Sequence, residues 1–423
     1  MNPQHGPSLL LVVACVALIS GCSPSGLQPN GGTGTSIGRG ALTPAVDAAK
    51  PLYPQLFPRP TGSNAWEAVV KTADTLRAEK IDLTSLLGPH CDREKRHSYV
   101  TAKGTEALRV DLLNGATFNF TSPRPDLTWR ASFIPDYAAF RNVTRFMAVV
   151  FADCVDSKRP TLATDVLLAG LRIAQGMVSE STLGILTGLA CEQLLLAEAS
   201  RLAKGLDAKS RERIALTLLG TALNKTRFTS GVRSDYAVIV NLLDDPGLVS
   251  VIAGMDSMRS PAEIEKVKES YRSAPDRLAL MRAQVREYAR ICEQTDMHVL
   301  GQASLFLKTN HPPEPAEDPG IFGLVQTFPG ASVSSVIQTA TLERMSALYM
   351  RAVSYHQVHQ KWPSSVQVLG TSYETTQVIA DKPFVIRTRP DGDGCEIVGD
   401  GIPAAYGAQS SPARVFPGPE SRR

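Results

Sequence analysis

Apolar positions recur at three- and four-residue intervals through most of the chain, and that spacing predicts a succession of amphipathic helices. The first starts at Asn64. Asn64 and Glu67 form a capping-box-like pair there, and Trp66, Val69, Val70, Ala73 and Leu76 follow at helical spacing. The next reads as one helix from Asp92 to Leu113, ended by Asn114-Gly115. Phe118, Phe120, Trp129 and Phe133 then fall among Pro123 and Pro125, which predicts an irregular connection with aromatic plugs. Pro135-Asp136 opens a helix whose stripe is Tyr137, Phe140, Val143, Phe146, Met147, Val150 and Phe151, up to about Cys154. Arg159-Pro160 punctuates. Helices from Leu162 to Val178, Thr182 to Leu202 and Asp207 to Thr226 follow, with Asp207 as N-cap of the last. Gly184 and Gly188, one turn apart, predict a close approach between helices.

Beyond Asp245-Pro246, Pro261 opens a charged helix that Pro275 breaks before Asp276 to about Leu300. The run His311-Pro312-Pro313-Glu314-Pro315 is a loop, and an apolar helix spans about Val333 to Gln360. The period then shifts to two. Phe384-Val385-Ile386 and Glu396-Ile397-Val398 are β-type runs separated by Pro390-Asp391-Gly392-Asp393-Gly394, so residues 384–399 predict a hairpin. A lone hairpin is marginal and must pack on something, here the preceding helix. Residues 403–423 are rich in Pro, Gly and Ser and read as a disordered tail. Short breaks make consecutive helices antiparallel neighbours, and the chain shows no fixed 34-residue self-similarity. The expected fold class is mainly α: a multi-helix antiparallel body with a small C-terminal α+β hairpin element.

The N-terminal stretch follows a different pattern. Ser8 to Ser20 reads SLLLVVACVALIS, an apolar run too short for the roughly 20 residues of a membrane span but suited to a signal-peptide core. It ends in Leu18-Ile19-Ser20-Gly21-Cys22, which resembles the bacterial lipobox. That resemblance implies a signal peptide over residues 1–21, cleavage before Cys22 and palmitate-type acylation of the Cys22 thiol. Two or three acyl chains anchor stably where one is marginal. Met1-Asn2-Pro3-Gln4-His5 departs from the pattern in carrying no Lys or Arg. Ser23 after the Cys implies the outer membrane, facing the periplasm. Gly, Ser, Pro and Thr dominate up to Lys50, so residues 22–50 read as a flexible tether. Gly34-Thr35-Ser36-Ile37-Gly38 matches G-x-S-x-G, but a nucleophile elbow needs a strand before the Ser and a helix after it, and Ser36 reads as linker. The expected organisation is completed by a helical body over 51–330 and a C-terminal helix plus hairpin over 331–402.

Composition adds exclusions. Of 423 residues, 43% are hydrophobic and 20% charged, which excludes a wholly disordered chain and a multi-span membrane protein. Lys+Arg total 44 against Asp+Glu 41, a net charge of +3, too small an excess for a nucleic-acid partner. Of the seven Cys, Cys15 leaves with the signal peptide and Cys22 is lipidated. Cys91, Cys154, Cys191, Cys292 and Cys395 remain. An oxidising periplasm would permit a Cys154–Cys191 bridge, while an odd number leaves a free thiol and helix-embedded Cys is commonly just buried.

Three groups carry candidate chemistry. His356 and His359 are three apart on a helix, but a metal would need a third ligand. Asp381, Asp391, Asp393 and Asp400 cluster around the hairpin and offer oxygen ligands, though Asp-Gly-Asp-Gly is also what a tight turn requires. His90-Cys91-Asp92 precedes a helix, where Asp92 serves as N-cap and Cys91 is a candidate nucleophile. On these grounds no catalytic, cofactor-binding or metal residue is assigned, and the only site residue is the lipidation site, Cys22.

Tyr355-His356-Gln357-Val358-His359-Gln360-Lys361-Trp362-Pro363 through Leu369, then Asp381-Lys382-Pro383-Phe384, Ile386-Arg387 and Ile397-Val398-Gly399-Asp400, resembles the tail of a group of uncharacterised bacterial proteins common in planctomycetes. Their pattern is a helix, G-x-(Y/W)-P-x-x-L-x-x-L, Asp-Pro-Phe, a strand, a turn and a strand ending in Gly. The major pseudopilins of type II secretion are similar in their C-terminal half, and bind calcium there. Here Gln360 replaces the group's Gly, Lys382 splits the Asp-Pro pair, and a lipobox stands where a pseudopilin has its methylated helix. The resemblance implies architecture more than activity. The functional expectation is a membrane-anchored envelope lipoprotein that binds or scaffolds an envelope protein or ligand, without cofactor. The alternative is an envelope hydrolase whose site assembles only in the fold.

Overall fold

The computed structural model describes residues 65–117, 120, 137–178, 182–223, 262, 269, 320–378, 382–390, 392–400 and 414–416. Asn64, Phe118, Trp129, Phe133, the Pro135-Asp136 start, the helices read between Pro261 and Leu300, and the whole N-terminal segment lie outside them. The described part is mainly α, with one small antiparallel sheet at its C-terminal end.

Helix α1 spans Ala65–Glu79 and buries Trp66, Val69, Ala73 and Leu76, the stripe its sequence spacing dictates. Helix α2 covers Arg93–Thr101 and α3 covers Lys103–Gly115, so the single helix expected from Asp92 to Leu113 is in fact two. Ala102 between them has φ −60° and ψ 137°. The buried positions explain the break. Arg96 and Val100 are one turn apart, but the next buried residue is Thr105, five positions on, followed by Leu108 and Leu112. A continuous helix would rotate these two sets onto different faces, and the extended residue brings them back into phase.

The centre is built from α4 (Tyr137–Asp156), α5 (Pro160–Val178) and α6 (Thr182–Leu202), which pack on one another. Helix α5 is long and apolar enough to cross a membrane, yet 78% of that stretch is buried among its neighbours, as in a core helix. Gly188 is what lets α6 approach it: a Cβ there would sit 2.4 Å from the Ala174 carbonyl oxygen of α5. Phe120 acts as the expected aromatic plug, its ring 5.3 Å from Trp66 and 6.2 Å from Phe140.

Helix α7 (Ala208–Leu223) starts where Asp207 accepts a hydrogen bond from the Ser210 amide at 2.7 Å, as an N-cap should. The long α8, Gly320–His359, lies along α6 and α7. It begins well before the expected Val333. Pro329 and Gly330 lie inside it, although an interior Pro costs about 3 kcal/mol. In a helix of 40 residues braced by two others, that cost does not end it. Helix α8 runs continuously through residues 330 and 331, and its buried face shares one hydrophobic core with the other helices and the C-terminal sheet.

That element comprises a short helix α9 (Ser372–Thr375) and strands β1 (Val385–Thr388), β2 (Cys395–Gly399) and β3 (Arg414–Phe416), ordered β1-β2-β3. The hairpin is the expected one, with Val385 opposite Val398 and Thr388 opposite Cys395. It packs on α8 as required. The third strand is a correction to the reading of 403–423 as wholly disordered. Val415-Phe416 is an apolar pair hidden in a Pro/Gly/Ser-rich average, and Phe416 is buried with its ring 5.8 Å from Tyr349 of α8.

Candidate functional site

One polar cluster lies where α2 meets the end of α4. Asp92 caps α2 by accepting from the Lys95 amide at 2.9 Å. This fixes the helix start and turns Arg96, with Val100, onto the face packed against the body. Arg96 is 1% exposed. Its Nη1 donates to Cys91 Sγ at 2.9 Å, and its Nη2 donates to the Asp156 carboxylate. Arg93 Nε lies 3.5 Å from the same carboxylate.

One residue further along, His97 projects into solvent, with Nδ1 3.0 Å from Asp153 Oδ1. Asp153 is buried, and its other oxygen accepts from Arg159 Nη2 at 3.1 Å. Arg159 reaches back because the chain reverses after α4. Lys158 takes a left-handed φ of +55°, and the Arg159 amide bonds the Cys154 carbonyl at 2.8 Å. A carboxylate at Nδ1 assigns the proton to that nitrogen and leaves Nε2 as the open acceptor. Such a ring, oriented by a buried carboxylate, is equipped to take a proton. Nearby on α2, Tyr99 donates to Glu79 at 3.3 Å, and burial, reinforced by the Glu79 charge, pushes its phenol upward so that it stays protonated.

A second polar constellation joins the body to the C-terminal element. Arg211 is fully buried at 0% exposure. Its Nε donates to Ser354 Oγ at 2.8 Å, Nη1 to the carbonyls of Ala203 (3.1 Å) and Leu206, and Nη2 to Gln357 Oε1. Burial pulls this guanidinium below its ordinary value, and the Asp207 charge opposes the shift. Arg351 forks onto Glu212 at 3.1 and 2.8 Å and places Nη1 3.1 Å from Glu374 and 3.2 Å from the Leu369 carbonyl. Burial disfavours its charge, but the hydrogen bonds it donates to Glu212 and Glu374, with the negative charges of those carboxylates, outweigh that and hold it above the usual value. At the hairpin tip, where Gly392 has φ +72°, Trp362 Nε1 donates to the Gly392 carbonyl at 3.1 Å and Lys204 Nζ to the Asp393 carbonyl at 2.7 Å.

The structure places the sequence-derived candidates as follows. His356 stacks on Trp362 with ring centroids 4.2 Å apart, and His359 packs on Tyr355 at 4.2 Å, so the two imidazoles serve different ring pairs. Asp393 and Asp400 lie beyond opposite ends of β2, whose five residues span roughly 16 Å at about 3.3 Å per residue. They lie near different lysines, Asp393 at 3.9 Å from Lys204 and Asp400 at 3.7 Å from Lys382. Asp381 and Asp391 lie outside the described residues. Among the described residues no group of three His, Cys, Asp or Glu side chains is placed to hold a metal.

His90, Cys91 and Asp92 do not act together. Asp92 caps, Cys91 binds Arg96 and His90 is exposed. Cys154 and Cys191 are free and buried on α4 and α6, which corrects the bridge considered from sequence. Each thiol lies in apolar packing, and burial pushes Cys191 up to about 11 and Cys395 up to about 12, far from the reactive thiolate. Cys22, Ser36 and Cys292 lie outside the described residues.

Sequence reasoning missed the Asp153 cluster. A signal was present: Asp153 interrupts an otherwise apolar stretch from Phe146 to Val155, and a carboxylate on a buried helix face demands partners. No protein family, curated protein or solved structure matches this chain.

Proposed function

We propose that this chain is a membrane-anchored envelope lipoprotein of the binding or scaffold type. Acyl chains on Cys22 hold it to the membrane, residues 23–50 tether it, and the helical body works as a rigid platform in the periplasm. The observation that carries the reading is the apolar run Ser8–Ser20 ending in Leu18-Ile19-Ser20-Gly21-Cys22 ahead of a folded body. The use made of buried charge agrees with it. Arg96, Arg211 and Arg351 spend their terminal nitrogens tying α2 to α4, α7 to α8, and α8 to the C-terminal element. These contacts stiffen the platform. The test is photocrosslinking in intact cells, with a crosslinking residue at Val358 (76% exposed) or Val110 (43% exposed). A reproducible adduct from at least one site, lost in the Cys22→Ala variant, is expected. No adduct from either site contradicts a binding role.

The second reading, an envelope hydrolase, is favoured by His97. Its Nε2 is the open nitrogen of a ring held by Asp153, so it would take a proton from water as that water attacks an ester carbonyl, releasing acid and alcohol. On this reading the protein hydrolyses p-nitrophenyl acetate, and His97→Gln lowers the rate by at least about a hundredfold, the low end of a general-base contribution. Equal rates in both proteins sink the hydrolase reading and leave His97 as a structural contact.

A further inference from the structure

We draw no further inference here: the strongest candidate, the ring cluster of Tyr355, His356, His359 and Trp362 at the C-terminal end of α8, is a surface for which nothing in the structure shows what covers it.

Discussion

Arg211→Met is expected to destabilise the fold by about 3–5 kcal/mol, because it strips buried acceptors of their donor at about 1–3 kcal/mol each. The guanidinium fills its site with no exposure and satisfies Ser354, Gln357 and the carbonyls of Ala203 and Leu206 at once. Met occupies similar volume but donates nothing. The Ala203 and Leu206 carbonyls are buried, and each buried acceptor left bare costs about 1–3 kcal/mol, while Gln357 is exposed and can turn to water. Those two carbonyls lie at the turn into α7, where the Leu206 amide also donates to the Ala203 carbonyl and Asp207 caps the helix. Arg211→Lys should recover only part of the loss, because one ammonium cannot reach acceptors arranged around a planar fork. Thermal unfolding followed by circular dichroism reads this as a midpoint lowered by roughly 6–20 °C, at about 2–4 °C per kcal/mol for a body of this size. A shift under about 2 °C would show that the four contacts contribute no net stability.

The second large effect reverses a general preference. Gly→Ala inside a helix ordinarily stabilises by about 1 kcal/mol. At Gly188 it should destabilise by about 2–3 kcal/mol, in the upper part of the range for overpacked cores. The added carbon would lie 2.4 Å from the Ala174 carbonyl oxygen, 2.8 Å from Val178 Cγ2 and 3.2 Å from the Val178 amide. Two of those atoms are backbone, so relief requires separating α5 from α6, the centre of the core. Gly104→Ala is the control. Gly104 lies in α3 with open space where its Cβ would go, and that variant should be neutral or slightly stabilised. Urea unfolding of the two variants distinguishes them. Equal stability would mean that α5 and α6 do not approach as described.

These two sites also show what the sequence could convey. Gly188 was legible because close helix approach has a compositional signature, two small residues one turn apart. The hairpin was legible because its period of two and its Asp-Gly turn are local signals, and Asp92 and Asp207 were legible as caps for the same reason. Arg211 was not, since it sits among charged neighbours in Ser210-Arg211-Glu212-Arg213, and nothing local says which of them turns inward. The break at Ala102 was hidden because Lys and Arg interspersed with acids mask the phase of the buried positions. The His97–Asp153–Arg159 cluster joins residues on both sides of a helix crossing 56 positions apart, a relation that only packing reveals. Strand β3 was lost to averaging over a tail of turn-forming residues.

Cys22 carries the proposed anchor, and fatty-acid labelling tests it directly. Cells expressing the full chain or its Cys22→Ala variant are fed a clickable fatty acid, then fractionated into membrane and soluble material. The wild-type chain is expected to carry the label and sediment with membranes, while Cys22→Ala is unlabelled and no longer held by acyl chains. Unchanged labelling and unchanged sedimentation in Cys22→Ala would contradict the proposed anchor.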